Sequence, residues 1–470
     1  MFDTVIAPSG TLLGLLQRGR GDGTLHALTA PREEALAALD RCVLGDPRHD
    51  WQVENRSLYY ARLYLDLRGP LDEIARHLFC AEDVLDGEEC RTGLALAVLG
   101  HLASYGRDDA LMLLRRYAAE GTNWAWALDE LALRDEDGAL RALAEPVLAR
   151  FPQTPEGDAE LSAAVRDAFE PRPWRLWAED PRESVGARVR AAGERGSFDQ
   201  WQRQLRPTGP RPGWSVDAVF AWAEEAMERG GGRHVPAARC LAAVAGPEDL
   251  PEILSAARSG SDGARCTALR YLADVRDPSV PDLVEAALAD GSRVVAEAAV
   301  DAFERMAGPE ALERARRWAG RPDALGAAAG RVLACRGGAQ DAPLVLGALR
   351  EAVRAEGPDG PTLWTLVDGT GRLGIGCAAP VLRHVYRETA SSHLRGRAAV
   401  ALAATDPSFA AGFAVECLWD CEETTRELAA RHAETADSRV VEQLRRLAAD
   451  PAEETEMQTV VRSRIGHPDT

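Results

Sequence analysis

Two groups of side chains in this sequence have the residue types and the spacing that a binding or catalytic site needs. The first lies in residues 123–130, where Trp124, Trp126 and Asp129 follow one another closely. If this segment is helical, Trp126 and Asp129 share a face, because residues three apart are neighbours on a helix. An indole can stack on a planar base, and a carboxylate can stabilise developing positive charge. The structural alternative, which we favour, is that a Trp packs against the next helices while Asp129 is solvated.

The second group spans residues 172–214, which hold nine Arg and five acidic residues and so carry a local charge of +4 in a chain of net charge −19. Several Trp are interleaved with these Arg; both residue types are enriched at binding hot spots, and guanidinium groups stack on indole rings. An anionic ligand or an acidic segment of a partner would suit this group. The sequence leaves open a second interpretation, in which the Trp fill an irregular core and the Arg pair with acidic residues of neighbouring repeats. The candidate binding residues of both groups are Trp124, Trp126, Asp129, Arg172, Trp174, Arg175, Trp177, Trp201 and Arg203.

Signatures of common catalytic and cofactor sites are missing from the sequence. All 55 basic residues are Arg, so no lysine can form a Schiff base or act as a general base. Residues 369–374 spell G-x-G-x-x-G, but no strand pattern precedes them, and we interpret them as a tight turn between helices. Cys417 and Cys421 are interpreted as buried thiols, because no set of residues with zinc-ligand spacing accompanies them. We therefore predict no catalytic residue, no metal and no cofactor, and we favour a protein that is not an enzyme.

The composition of the 470 residues narrows the class of protein. With 46% hydrophobic and 27% charged residues, a sizeable core is expected. The excess of 74 acidic over 55 basic residues argues against a general nucleic-acid binder, which needs a cationic surface. No run of apolar residues is long enough to span a membrane, and the first residues lack the pattern of a secretory signal. Nine scattered cysteines, an odd number, indicate a reduced, cytoplasmic protein.

The clearest pattern in the sequence is a recurring pair of helices. In residues 278–290 the apolar side chains fall at helical spacing, Gly291 and Ser292 interrupt them, and a second helical pattern follows in residues 295–306. This second helix has a small or apolar first position, Ala four residues later and mostly apolar residues at the seventh and eighth positions after it. Its starting positions in the chain are 264, 295, 325, 394 and 425, and the long interval after 325 holds a further unit around 361–370.

This pattern resembles the HEAT-repeat family, including its short, lyase-type variant. The second helix of that family carries a Val-Arg-x-x-Ala-x-x-Ala-Leu run, and residues 394–402, Leu-Arg-Gly-Arg-Ala-Ala-Val-Ala-Leu, match it best here. The resemblance covers residues 233–450 and extends more weakly to the first 155. It implies an all-α fold, an α-solenoid of stacked antiparallel helix pairs wound into a right-handed superhelix.

The repeat pattern, the turn residues and the prolines along the chain suggest four segments. Residues 1–155 are predicted to be N-terminal HEAT-like repeats, and residues 156–232 an irregular joint rich in Pro, Arg and Trp. C-terminal HEAT-like repeats follow in 233–450, and 451–470 form a terminal helix or tail. Because six prolines crowd the joint, its helices are expected to be short.

HEAT-type solenoids commonly bind other proteins. The resemblance therefore implies a non-catalytic scaffold or adaptor that binds a protein partner through its concave face or through the Arg/Trp-rich joint. The alternative is an enzyme or ligand-binding protein on a HEAT-like scaffold. Residues 123–129 resemble HEAT-like-repeat DNA glycosylases, in which Trp and Asp hold an alkylated base, although Trp124 and Asp129 are one residue further apart than in that family's Asn-Trp-x-x-x-Asp. The repeat type alone would also suit a lyase. Partner identity, any catalytic activity, pathway and oligomeric state are left open.

Overall fold

The computed structural model of this protein describes residues 6–47, 54–85, 92–204, 213–289 and 291–466, except for the side chains of 195–204. Over these ranges the chain forms α-helices and short 3-10 helices, and no β-strand is present. The prediction of an all-α fold is therefore confirmed. No helix in the same ranges combines the length and the apolar character needed to cross a membrane.

The helices follow one another with short connections. Those before residue 205 are α1 Leu12–Gln17, α2 Gly21–Thr29, α3 Arg32–Leu44, α4 Ser57–Asp66, α5 Asp72–Leu78, α6 Gly93–Ser104, α7 Asp108–Glu120, α8 Trp124–Arg134, α9 Asp137–Ala142, α10 Ala144–Leu148, α11 Pro155–Asp167, α12 Arg172–Ala178 and α13 Glu183–Gln204. Those up to residue 388 are α14 Val216–Glu228, α15 His234–Val244, α16 Leu250–Ser259, α17 Asp262–Asp274, α18 Val280–Ala289, α19 Arg293–Arg305, α20 Pro309–Trp318, α21 Ala324–Arg336, α22 Ala342–Glu356, α23 Leu363–Arg372 and α24 Ala379–Glu388. The remaining helices are α25 Ser392–Thr405, α26 Phe413–Cys417, α27 Glu423–His432, α28 Ser438–Ala449 and α29 Thr455–Ile465.

Local sequence signals account for where several helices begin. The Ser292 hydroxyl accepts a hydrogen bond from Val295 N at the start of α19, and the Asp323 carboxylate accepts one from Gly326 N at the start of α21. Each bond satisfies an amide that has no partner inside its helix. Pro309 opens α20, where its missing N–H is not needed.

The second helices expected from the repeat pattern coincide with α17, α19, α21, α25 and α27. In each of them the alanine four residues after the pattern's start is fully buried: Ala268, Ala299, Ala329, Ala398 and Ala429. The small side chain leaves room for a neighbouring helix, and α17 packs on α19, α19 on α21, and α21 on α23. Neighbouring helix pairs are thus packed as the pattern indicated.

Two local expectations are wrong. Residues 369–372 are not a turn but the end of α23, and Gly374, with a φ of 60°, follows it. Gly369 is needed inside the helix because a β-carbon there would lie 2.5 Å from Ala334 O of α21. The helices of the joint are not all short, since α13 runs for 22 residues. The six prolines lie within 171–181 and 207–212, so none interrupts α13.

The chain divides into two compact units. Unit 1 comprises Met1–Leu205, Tyr386–Ala403 and Pro407–Thr470, and unit 2 comprises Arg206–Val385 and Ala404–Asp406. The boundary near residue 205 falls inside the predicted joint. The predicted C-terminal segment, 233–450, is shared between the units, because its last part folds with the beginning of the chain.

Unit 1 contains one extended apolar core. It runs from Leu12 of α1 through α3, α4, α6, α7 and α8 to Ala192 of α13. Among the later helices of this unit, α26 packs on α2, and α27 and α28 pack on α29. In unit 2, α15, α16 and α18 each pack on α17, and α20 packs on α21.

Candidate functional site

The tryptophan at the start of α8 belongs to an aromatic cluster. The Trp124 ring lies edge-on to Phe151, with centroids 5.9 Å apart, and to Trp174, with centroids 6.3 Å apart. The guanidinium of Arg150 lies 5.8 Å from the centre of the Trp124 ring. Aromatic rings prefer such edge-to-face contacts because their faces are electron-rich and their edges are not. Trp124 therefore stacks on protein side chains of unit 1.

Two tryptophans of the second sequence group complete this cluster. Trp174 and Trp177 of α12 contact each other edge-on at 4.9 Å, and both are buried. Trp177 also donates from Nε1 to the carbonyl oxygen of Leu140 at 2.8 Å. A fully buried indole with its N–H satisfied is a core residue. For these two residues the structure supports the core interpretation rather than the binding one.

Arg172 binds the end of α8. Its Nη1 donates to Ala132 O at 2.7 Å, and its Nη2 donates to Asp135 O at 2.9 Å and to the Asp137 carboxylate at 2.5 Å. The last carbonyl groups of a helix have no partner within the helix, and a cation there also suits the helix dipole. Arg172 is therefore a capping residue that joins α12 to α8.

Asp129 forms a second link between the two sequence groups. Its Oδ1 accepts a hydrogen bond from the backbone N of Glu170 at 3.0 Å. Glu170 lies in the short connection between α11 and α12. Residues that are about 40 positions apart in the chain, and that the sequence analysis treated as separate candidates, therefore meet at one place in unit 1.

What remains exposed at this junction is an apolar surface, which we call the α8 patch and define as Trp126, Leu133, Phe169 and Arg175. Trp126 is half-buried, and Leu133 and Phe169 are 59% and 83% exposed. Trp126 and Leu133 are two helical turns apart on the face of α8 that also carries Asp129. Phe169 immediately precedes Glu170, whose backbone N donates to Asp129 on this face. Arg175 is exposed on α12, one turn after Arg172.

The other charged residues of the second group are mostly engaged locally. Arg182 pairs with Asp180 at 2.8 Å and with Glu145 at 2.7 Å. Arg188 donates to Phe151 O at 2.7 Å and to other carbonyl oxygens nearby. Trp201 and Arg203 lie on α13, but their side chains fall outside the described part of the chain. Most of the described Arg in this group thus bind acidic residues and carbonyl groups of neighbouring elements.

A cavity of about 320 Å³ lies elsewhere in unit 1, between the early and the late helices of the chain. Arg62 of α4 donates to Asp450 at 2.9 Å and to Glu453 at 2.8 Å. The Tyr105 hydroxyl donates to Asp450 at 2.7 Å, and Arg426 of α27 donates from Nε to Glu453 at 2.9 Å. This cluster is not among the candidates predicted from the sequence, because nothing in a linear pattern relates residue 62 to residue 450.

Burial shifts the pKa values of two side chains in unit 1, His101 of α6 and Glu130 of α8. Burial, reinforced by the charges of Arg134 and Arg62, lowers the pKa of His101 to about 4. Burial also raises the pKa of Glu130 to about 7, although Arg134 opposes the shift. His101 is therefore a neutral imidazole near neutral pH. The cavity itself is bordered by ion pairs rather than by isolated charges, so it suits an uncharged or charge-balanced occupant.

No three His, Cys, Asp or Glu side chains converge as a metal site in the described ranges. No family model matches this chain, and none of the curated proteins matches it either.

Proposed function

We propose that this chain is a non-catalytic scaffold or adaptor that binds a protein partner through the α8 patch of unit 1. The observation that carries the proposal is the exposure of Phe169 and Leu133 at the junction where Glu170 binds Asp129 of α8. Apolar and aromatic side chains clustered at the surface are typical of protein interfaces, and aromatic residues dominate their binding energy. A HEAT-like α-solenoid with a right-handed superhelix, as the sequence pattern suggests, is part of this proposal.

The partner that fits the α8 patch presents apolar side chains next to an acidic group. Trp126, Leu133 and Phe169 would be covered by the apolar part, and the exposed guanidinium of Arg175 would bind the acid at the rim. Arg172 contributes less, because its donors are already bound to α8 and Asp137. A reduced, cytoplasmic location also belongs to the proposal, since the cysteines described are free thiols.

Affinity capture with matched variants tests the α8 patch. Phe169→Ser and Leu133→Ser remove apolar area from the patch, and Val400→Ser removes from α25 an apolar side chain about as exposed as Leu133. All three changes lie at the surface and should alter the free energy of unfolding by about 0.5 kcal/mol or less. Proteins that the wild type retains should be lost by the first two variants and kept by the third. Retention of the same proteins by all variants would rule out the patch.

The alternative, an enzyme or ligand-binding protein, draws on two different observations. For a glycosylase-like activity, Trp124 and Asp129 would have to leave the contacts with Trp174 and Glu170 that hold them. If the protein does not shift a short DNA duplex at low salt, where phosphate attraction is strongest, this activity is excluded.

The cavity beside Arg62 favours a ligand-binding function. A compound that binds in this cavity should raise the melting temperature of the wild type. It should not raise the melting temperature of the Leu63→Trp variant, because the indole would fill the cavity.

A further inference from the structure

A thiol in unit 1 lies against two buried guanidinium groups. Cys421 is partly exposed in the connection between α26 and α27, and Arg395 Nη2 donates to its Sγ at 3.4 Å. A β-carbon added to Gly19 would lie 2.7 Å from Arg56 Nε and closer still to Cys421 Sγ. Because both atoms lie within 2.7 Å of this one position, Arg56 Nε and Cys421 Sγ are less than 5.4 Å apart. The side chains of both Arg are completely buried.

Both Arg have N–H groups that meet no acceptor among the described residues. For Arg56 these are Nε and Nη1, and for Arg395 it is Nη1. Their other nitrogens are engaged: Arg56 Nη2 donates to Glu54 at 2.9 Å, and Arg395 donates to Asp420 at 2.8 and 2.9 Å. Buried donors are nearly always satisfied in folded proteins. A negative charge on Cys421 Sγ would attract the Nε–H of Arg56, which has no acceptor in the described ranges, while Nη2 of the same guanidinium stays paired with Glu54.

Several charged and titratable groups of the described residues around the thiol are bound to other atoms. Asp420, which precedes Cys421 in the chain, accepts hydrogen bonds from Nε and Nη2 of Arg395. The Tyr59 hydroxyl of α4 donates to Arg20 O at 2.8 Å. Arg426 of α27 donates to Cys421 O at 2.8 Å, and its charge is paired with Glu453. His393 pairs with Glu422 at 3.4 Å. Arg56 is thus a buried cation beside the thiol with two N–H groups that no described acceptor takes.

Other cysteines of the chain lie in different surroundings. Cys417 is fully buried, and its Sγ lies 3.1 Å from the Tyr386 hydroxyl. Burial raises its pKa, and burial likewise raises the pKa of Cys266 to about 11. These two are unreactive thiols. Of Cys417 and Cys421, both predicted from the sequence to be buried thiols, only Cys417 is buried.

We propose that Cys421 is held as a thiolate and is a site of modification by hydroperoxides. In the reaction the thiolate sulfur attacks one peroxide oxygen, and the S–O bond forms while the O–O bond breaks. The sulfur loses two electrons and becomes a sulfenate, and the other oxygen takes the peroxide's proton and leaves as water or an alcohol. Thiolates that are both exposed and stabilised by cations are the cysteines that oxidise first. The proposal is independent of partner binding at the α8 patch.

The test compares cysteines within the same full-length chain. The protein is treated with hydrogen peroxide at neutral pH, the remaining thiols are alkylated at timed intervals, and mass spectrometry measures each cysteine. Cys421 should be consumed about ten times faster than Cys335 and Cys377, which are exposed. In urea the three rates should become equal, because the arginines no longer surround the thiol. A Cys421 rate equal to or below the other two in the folded protein would overturn the proposal.

Variants of Arg56 test the cause. Arg56→Gln should slow oxidation of Cys421 toward the rate of Cys335, whereas Arg56→Lys, which keeps the charge, should preserve most of it. Arg32→Gln is the matched control, since Arg32 binds the carbonyls of Leu67 and Arg68. If Arg56→Gln does not fold, the wild type decides alone. From about pH 5.5 to 8.5 the oxidation rate of Cys421 should stay flat. A rate that rises steeply with pH over this range would contradict a stabilised thiolate.

Discussion

Glu416 shows most clearly how the surroundings of one residue change its chemistry. Its carboxyl group, on α26 in unit 1, has a pKa raised to about 7, first by burial and then by the nearby charge of Asp22, while Arg20 opposes the shift. One of its oxygens, Oε1, accepts no hydrogen bond among the described residues. An ionised carboxylate in this position is costly because it has lost water without gaining enough donors.

Replacing this carboxyl group should stabilise the protein at alkaline pH. The folded pKa of Glu416 lies above the usual value of 4.5. The advantage that its proton gives the folded state is therefore complete below about pH 4.5 and is lost as the pH rises to about 7. At pH 8, Glu416→Gln should raise the free energy of unfolding by up to about 3 kcal/mol, measured by urea titration. Near pH 4.5 the difference should be small. Glu442→Gln, an exposed change on α28, is the control and should have little effect at either pH. Equal stability of Glu416→Gln and wild type at pH 8 would contradict the raised pKa of Glu416.

At the scale of one helix, stability depends on how its first amides are satisfied. Asp323 begins α21 by accepting the hydrogen bond from Gly326 N at 3.0 Å, and it also pairs with Arg321 at 2.7 Å. Burial raises the pKa of Asp323, but the hydrogen bonds from Arg321 and Gly326 outweigh it, so the net shift is downward. Such a carboxylate stabilises the folded state above its unfolded pKa, and the stabilisation is lost as the pH falls.

Removing this cap should weaken α21. Asp323→Ala should lower the free energy of unfolding by about 1–2 kcal/mol at neutral pH and by progressively less as the pH falls below about 4. Amide hydrogen exchange of residues 324–328 should become faster. Glu310→Ala, an exposed change in the first turn of α20 that removes no cap, is the control and should cost only a few tenths of a kcal/mol. An Asp323→Ala loss no larger than that of the control would show that Asp323 does not cap the helix.

At the scale of the whole molecule, the first and last parts of the chain belong to the same unit because buried ion pairs and apolar contacts join them. Glu453 is central to this connection, since it accepts hydrogen bonds from both Arg62 of α4 and Arg426 of α27. Its side chain is 1% exposed, and that of Arg426 is 4% exposed. Removing one partner from such a group leaves a buried charge without compensation.

Glu453→Gln should therefore destabilise unit 1 by about 3–5 kcal/mol. Hydrogen exchange should accelerate in α4, α27 and α28, because the helices that meet at the cavity lose their common acceptor. Glu456→Gln, three residues later and exposed on α29, is the matched control and should leave exchange unchanged. Unaltered protection of α4 in Glu453→Gln would mean that the ion pairs contribute little to joining the two ends of the chain.

Local sequence patterns predicted the all-α class, the recurring helix pair with its break at Gly291 and Ser292, and the alanines at which helix pairs meet. These features follow from the period of the apolar residues and the placement of small ones, and so need no knowledge of distant contacts. The sequence also singled out Trp124, Asp129, Arg172 and Trp174, but as two separate groups of candidate binding residues.

What those residues do depends on how the chain folds. Trp124 packs on Trp174 and Asp129 binds Glu170, so these residues hold the junction of α8 and α12, and a smaller apolar surface is left outside. The partners of Cys421 and the cavity beside Arg62 likewise bring together residues from opposite parts of the chain. Such contacts depend on how distant helices pack, and a local pattern contains no information about that packing. Burial and pairing, which set both reactivity and stability here, are therefore properties of the folded chain rather than of its sequence pattern.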